Sequence, residues 1–350
     1  MALRILKQEC SGTRLVHCIG MRPFIALTLA LAAALPAQTP QKGPPEEEAP
    51  VSIKVDVDVV SILASVRDKR GGLVANLEKN DFAVLEDGKP QTIKYFTRET
   101  DLPLTIGLLI DVSRSQENLI DIERSAASAF FSQVLRPKDE AFLISFGEES
   151  ELLQDYTNNA RLLTSAMRDL RVSSGVGGFG PGPVPTVGQP RGTVLYDAVY
   201  VASEDKLKSE VGRKVIVVIT DGVDEGSKLT ENDAIMAAQK ADTVIYSIEY
   251  SDPRFYGGGF GISLGSSGGG VLRKMSDETG GHAYRVDRTN SLDKIFNALQ
   301  EEMRSQYLIG YTPLNEAKDG SYRKLEIKMT NKDYKAQARK GYYAIKPEGR

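Results

Sequence analysis

The apolar residues of this chain fall into distinct patterns. Residues 106–110 and 215–219 are continuous apolar runs, the pattern of strands buried on both faces of a parallel sheet. Helix-spaced apolar positions predict helices over residues 118–135, 160–170, 193–208, 231–241, 271–279 and 291–304. Further strands are expected at 140–146, 243–250 and 282–286. Alternation of this kind implies an α/β fold with a doubly wound, mostly parallel sheet.

Both flanks read as β structure. Val55, Val57 and Val59 alternate with polar residues, as in a half-buried strand. Residues 82–85 and 93–96 flank a tight turn at 86–89. Residues 322–329 and 334–338 read as a hairpin around Asn331, Lys332 and Asp333. The expected arrangement is a small β-sandwich, built from the N- and C-terminal segments, beside the core.

The N-terminal pattern changes the picture of where the chain works. Residues 24–35 form a short apolar run with Arg22 before it and Ala32, Ala34 and Ala37 as small residues for cleavage. That is the pattern of a signal peptide, too short for a comfortable transmembrane span. Met21 is an alternative start. The expected organisation is a signal peptide at 1–37, a Pro- and Glu-rich disordered linker at 38–50, a β unit at 51–100, the α/β core at 101–304 and a β tail at 305–350. Export to a periplasmic, cell-surface or secreted location follows, with no membrane insertion after cleavage. Cys10 and Cys18 are the only cysteines and precede the apolar run, so the processed chain has no thiol chemistry.

Composition adds exclusions. The 350 residues are 41% hydrophobic and 26% charged, as in an ordinary globular protein, and the formal net charge is -3. That balance argues against a nucleic-acid partner.

The candidate chemistry sits at the ends of the two apolar runs. The first ends in Asp111-Val112-Ser113-Arg114-Ser115, with a carboxylate and two hydroxyls at alternate positions. The second ends in Thr220-Asp221-Gly222. Thr193 precedes the helix predicted at 193–208. The carboxyl edge of an open α/β sheet is where ligands bind. Hard oxygen donors suit Mg²⁺ better than Zn²⁺ or copper. The bland alternative is that Asp111 and the serines only cap a helix.

Together these segments resemble a von Willebrand factor type A (VWA) domain with a metal-ion-dependent adhesion site. The resemblance covers roughly residues 102–304. It implies that Asp111, Ser113, Ser115, Thr193 and Asp221 hold Mg²⁺, with Mn²⁺ or Ca²⁺ as other fits. It also implies that a protein ligand completes the shell with an Asp or Glu carboxylate. Arg114 stands where that family often has Gly. The flanks, residues 74–96 and 305–344, resemble the VWFA-related group described from Acidobacteria. The implied function is an exported, non-enzymatic adhesion or interaction module.

Two glycine-rich insertions, 173–191 and 252–270, are expected to rim the site. Phe179, Phe255, Tyr256 and Phe260 are candidate partner contacts within them, joined by the charged Arg114 and Asp224. Asp224 and its neighbour Glu225 read equally as solvated loop or helix N-terminal charge.

Other readings rank lower. One is a cell-envelope structural or assembly protein whose metal only stabilises the fold. Another is a serine hydrolase using Ser267, with Asp277 and His282 following in hydrolase order; Ser267 lies in a glycine tract without the strand-to-helix turn an elbow needs. Gly175–Gly180 matches a dinucleotide fingerprint in spacing, but prolines follow at 181, 183 and 185 where a helix should open.

Overall fold

The computed structural model describes residues 59–99, 102–172, 192–251 and 268–345. The signal peptide and linker expected at 1–50, Val55 and Val57, Ser267, residues 173–191 and residues 252–267 lie outside the described residues. The first strands are β1 (Val60–Asp68), β2 (Phe82–Glu86), β3 (Lys89–Gln91) and β4 (Ile93–Glu99). The core runs β5 (Leu104–Asp111), α1 (Ile120–Val134), β6 (Glu140–Phe146), β7 (Ser150–Thr157), α2 (Ala160–Ala166) and α3 (Leu195–Val201). It continues through β8 (Arg213–Thr220), α4 (Glu231–Lys240), β9 (Thr243–Glu249), α5 (Gly269–Thr279), β10 (Ala283–Arg285) and α6 (Leu292–Met303). The tail holds β11 (Gln306–Tyr311), β12 (Tyr322–Met329), β13 (Tyr334–Ala338) and β14 (Gly341–Tyr343).

The core sheet has the order β10-β9-β8-β5-β6-β7. All its pairs are parallel except β6 with β7. β5 and β8 sit at its centre and are buried along their whole length. Alternation along β5 explains why both faces need cover. Leu104, Ile106, Leu108 and Ile110 pack with Phe130, Leu163 and Phe296 of α1, α2 and α6. Leu109 faces the other way, with Leu195, Ile235 and Leu272 of α3, α4 and α5. Each such side chain contributes about 1.5–3 kcal/mol on burial.

Two four-stranded antiparallel sheets, β13-β1-β11-β4 and β14-β12-β2-β3, form the sandwich. Ile62, Val66, Phe82, Val84, Tyr307, Ile309 and Leu325 fill its interior. Phe82 lies 5.3 Å from both Phe96 and Tyr307, ring centre to ring centre.

The sandwich differs from the sequence expectation in its pairings. The turn after β2 is Asp87-Gly88, both at positive φ (48° and 78°), and it returns the chain as the short β3. Residues 93–96 belong instead to β4, which pairs with β11 in the opposite sheet. The expected hairpin of β12 and β13 is likewise split: β12 pairs with β2 and β14, and β13 with β1. In both cases the connection crosses from one sheet to the other, because each strand has one apolar face and the two sheets share one interior. β7 was not expected. Its edge position leaves it largely exposed and polar, so it lacks the apolar signature of a strand.

Polar contacts tie the sandwich to the core. Glu302 of α6 is fully buried. It accepts hydrogen bonds from Ser65 Oγ at 2.9 Å and Tyr284 OH at 3.0 Å, and pairs with Arg67. Arg304 pairs with buried Asp139, whose Oδ1 also accepts from the Leu104 N–H at 3.0 Å. Among the described residues no helix is long and apolar enough to cross a membrane.

Candidate metal centre

β5 delivers Asp111 to the carboxyl edge of the sheet, fully buried. The chain then leaves the strand, with the Val112 N–H bonded to Phe146 O of β6 at 2.7 Å, and enters a 3₁₀ turn at Arg114–Gln116. Asp111 Oδ1 accepts from the Ser113 N–H at 2.8 Å, which folds the loop back over the carboxylate. Ser113 Oγ and Ser115 Oγ lie 3.0 Å apart. The alternate spacing thus brings both hydroxyls to one place.

The second carboxylate follows from the neighbouring strand. Thr220 ends β8, and its hydroxyl donates to Asp111 Oδ2 at 2.5 Å. Asp221 comes next, largely buried, and its Oδ1 accepts from the Val223 N–H at 3.0 Å. Gly222 turns the loop at φ +81°, where a Cβ would lie 2.6 Å from Gly268 O. A Cβ on Gly268 would lie 2.0 Å from Gly222 C. This backbone approach fixes the Asp221 loop against the start of α5.

Thr193 is held between the flanking strand ends. Its carbonyl accepts from the Glu225 and Gly226 N–H groups at 3.1 and 3.0 Å, in the loop after β8. The next N–H, of Val194, donates to Gly147 O just after β6 at 2.9 Å. Since β5 lies between β6 and β8, Thr193 sits at the same edge as Asp111. Asp224 accepts from the Tyr196 N–H at 3.2 Å and Ser227 Oγ at 2.6 Å, and Asp197 accepts from the Leu229 N–H at 3.0 Å. Asp224 therefore fastens the loop to the start of α3, while Arg114 is exposed on the 3₁₀ turn. Phe179, Phe255, Tyr256 and Phe260 lie outside the described residues.

The electrostatics at this edge disfavour the charged form of Asp111. Burial pushes the Asp111 carboxyl up to about 6 from 3.8. Hydrogen bonds from Ser113 and Thr220 oppose that rise, and the like charge of Asp221 adds to it. Among the described residues no group of three or more His, Cys, Asp or Glu side chains is placed to hold a metal ion. A metal here depends on hydroxyls beside the two carboxylates, a donor set that fits a hard divalent ion.

Three residues at this edge were not singled out by the sequence. Thr220 orients Asp111. Gln116 is fully buried and donates from Nε2 to Tyr250 O at 3.2 Å. Glu123 is fully buried on α1, and burial, then the charge of Asp111, pushes its carboxyl well above the usual range. Its signal was available: it interrupts the apolar stripe of Ile120, Ala127, Phe130 and Val134. At the hydrolase candidates, His282 packs edge-on against Tyr284 at 4.7 Å, and Asp277 Oδ1 accepts from Gln337 Nε2 at 3.2 Å.

No family model matches the chain. An uncharacterized protein of Borreliella burgdorferi is 21% identical over 222 residues, 63% of this chain and 58% of that protein. The chain thus spans less than two thirds of that relative's length. Among solved structures, the conserved hypothetical protein BatB from Bacteroides thetaiotaomicron matches with 16% identity and a TM-score of 0.43, over 57% of this chain and 97% of that one. The vWF domain of the type V pili tip protein Mfa5 from Porphyromonas gingivalis matches with 13% identity and a TM-score of 0.41, over 59% and 96%. Proximal thread matrix protein 1 from the mussel byssus, solved with a zinc-occupied MIDAS motif, matches with 14% identity and a TM-score of 0.43, over 63% and 50%. By its own strand order the chain is a doubly wound, VWA- or Rossmann-like α/β fold flanked by a β-sandwich.

Proposed function

We propose that the edge formed by β5 and β8 is a divalent-metal site through which the chain binds a partner protein, outside the cytoplasm. The observation that carries this reading is the pairing of two strand-end carboxylates with a hydroxyl pair. Asp111 is fully buried and the charge acting on it is the like charge of Asp221, while Ser113 and Ser115 offer neutral oxygens 3.0 Å apart. Asp111, Ser113, Ser115, Thr193 and Asp221 would hold the ion, with Mg²⁺ the first choice for such donors. When bound, the ion supplies an electrophilic centre for a carboxylate from the partner. The protein's own part is to bring the two carboxylates and the neutral hydroxyls to one edge of the sheet, so that the shell is built partly from uncharged donors. Export rests on the apolar segment at 24–35.

The test is calorimetric titration of the chelator-treated chain with Mg²⁺ and Mn²⁺, beside Asp111→Ala. Saturable binding lost in a variant that still folds supports the reading. Equal binding by Asp111→Ala overturns it. Partner capture that persists in chelator would favour a scaffold whose metal serves only the fold.

A further inference from the structure

A second group of oxygens lies on the α1 side of Asp111. Glu123 is fully buried, and among the described residues neither of its carboxylate oxygens has a hydrogen-bond partner. Gln116 is also fully buried, and its Oε1 has none. The orientation of that amide is set by the contact of Nε2 with Tyr250 O at 3.2 Å, which needs a donor; Oε1 is therefore an acceptor facing elsewhere. Gln116 ends the 3₁₀ turn and Glu123 lies about two turns further on, in the first turn of α1. The Leu119 N–H donates to Gln116 O at 2.8 Å, and the Glu123 N–H donates to Leu119 O at 3.0 Å. A spacing of seven residues along a helical path returns to one face.

These three oxygens are all acceptors. A carboxylate buried without a partner is strongly unfavourable, and protein side chains ordinarily relieve it. The adjacent basic residue does not do so here: Arg124 donates to Met167 O at 2.9 Å and to Asp121 at 2.6 Å. The field of Asp111 also reaches Glu123, so the buried carboxylate lies beside a second negative group. A carboxylate with an amide carbonyl, in a region short of donors, is the ligand chemistry of a hard cation.

We propose that the Glu123 carboxylate and Gln116 Oε1 form an inner binding site for a hard divalent cation, separate from the hydroxyl-lined site of Ser113, Ser115 and Thr193. It goes beyond the function proposed above and takes its ligands from other residues. The inner ion neutralises the buried acid and braces α1 against the loop that carries both serines.

The experiment is equilibrium dialysis of the full-length, chelator-treated chain against Ca²⁺, Mg²⁺ and Mn²⁺ in turn, followed by metal analysis. The chain is compared with Glu123→Gln, Gln116→Met and a Ser113→Ala/Ser115→Ala double variant. The inner site predicts two ions per chain in the unmodified protein and one in Glu123→Gln. Gln116→Met should weaken the inner ion by about tenfold or more. Thermal melts in chelator control for folding, and Glu123→Gln, a neutral isostere, should melt no lower than the metal-free parent. Cation should raise the Tm of the parent more than that of Glu123→Gln. Unchanged ion count and affinity in both Glu123→Gln and Gln116→Met overturn the inner site, including the case in which Glu123 simply carries a proton. An ion lost only in the double serine variant supports the outer site and overturns the inner one. An ion lost only in Glu123→Gln does the reverse, and a parent chain that holds no ion overturns both.

Discussion

Thr220 donates its hydroxyl hydrogen to Asp111 Oδ2 at 2.5 Å, across the two central strands of the sheet. The residue before one candidate ligand thus orients the other. Thr220→Val keeps the shape and removes the donor. It should lower Mg²⁺ affinity about 10–100-fold, as loss of an outer-shell partner typically does. It should also cost about 1–3 kcal/mol by leaving a buried carboxylate oxygen unpaired. Thr220→Ser should restore most of both. Calorimetry and denaturant unfolding measure the two effects, and unaltered affinity in Thr220→Val would remove Thr220 from the site.

Acidity should act oppositely on the metal-free fold and on metal binding. Burial holds the Asp111 carboxyl at about 6 in the folded chain, above its ordinary 3.8. A raised carboxyl value means the folded state binds its proton more tightly than the unfolded state does. The stability this gives is fully present below about 3.8 and is lost as pH rises through about 6. Metal needs the ionised form, so affinity should fall as pH drops below about 6. In melts compared at about pH 5 and about pH 8, the increase in Tm on adding Mg²⁺ should be larger at the higher value. Asp111→Asn should flatten the difference; an equal Mg²⁺ effect at both values would contradict the assignment.

Gly268 and Gly222 should resist even the smallest side chain. A Cβ on Gly268 meets the Gly222 backbone at 2.0 Å, and Gly222 is held at φ +81°. Backbone cannot yield as a side-chain end can. Gly268→Ala and Gly222→Ala should each cost about 1–3 kcal/mol and displace the Asp221 loop. The readout is a lower Tm together with weaker metal binding, whereas Gly270→Ala, which meets nothing within 4 Å, should change neither.

Glu302 joins α6 to the sandwich. Its removal takes the carboxylate from Arg67 and the acceptor from the Ser65 and Tyr284 hydroxyls, while Arg67 keeps its bond to Gly71 O. Glu302→Ala should cost about 1–3 kcal/mol, the usual result of leaving buried hydroxyls without their acceptor, since the partly exposed Arg67 can be solvated. Thermal unfolding should show it, and metal affinity in the surviving folded fraction should hold near the parent value.

The parts of the molecule legible in the sequence are those where burial dictates residue type. β5 and β8 are buried on both faces, and their short continuous apolar runs carry the pattern of central strands. The expectation that Asp111 and Asp221 stand at one sheet edge came from those runs, whereas that for Thr193 came from the family resemblance. Strand pairing in the sandwich was not legible. Ile93 and Phe82 both alternate toward the same interior, and alternation does not say which sheet a strand joins. Glu123 was missed for another reason. A carboxylate on a helix is read as solvated by default, although Glu123 stands on the apolar stripe of α1 that turns inward.

The sandwich also has a bearing on the order of events in time. β1 lies between β11 and β13, so Ala64 pairs with both Tyr307 and Ala338. The ribosome does not release those partners until nearly the whole of residues 60–338 has been made. The early strand must wait, with its apolar face uncovered, while the central α/β unit assembles from neighbours close in sequence. Closing the sandwich is therefore expected to follow assembly of the central unit, because contacts this distant along the chain form late. A chain truncated after α6 would leave the same strand permanently unpartnered, as an adhesive edge open to other chains.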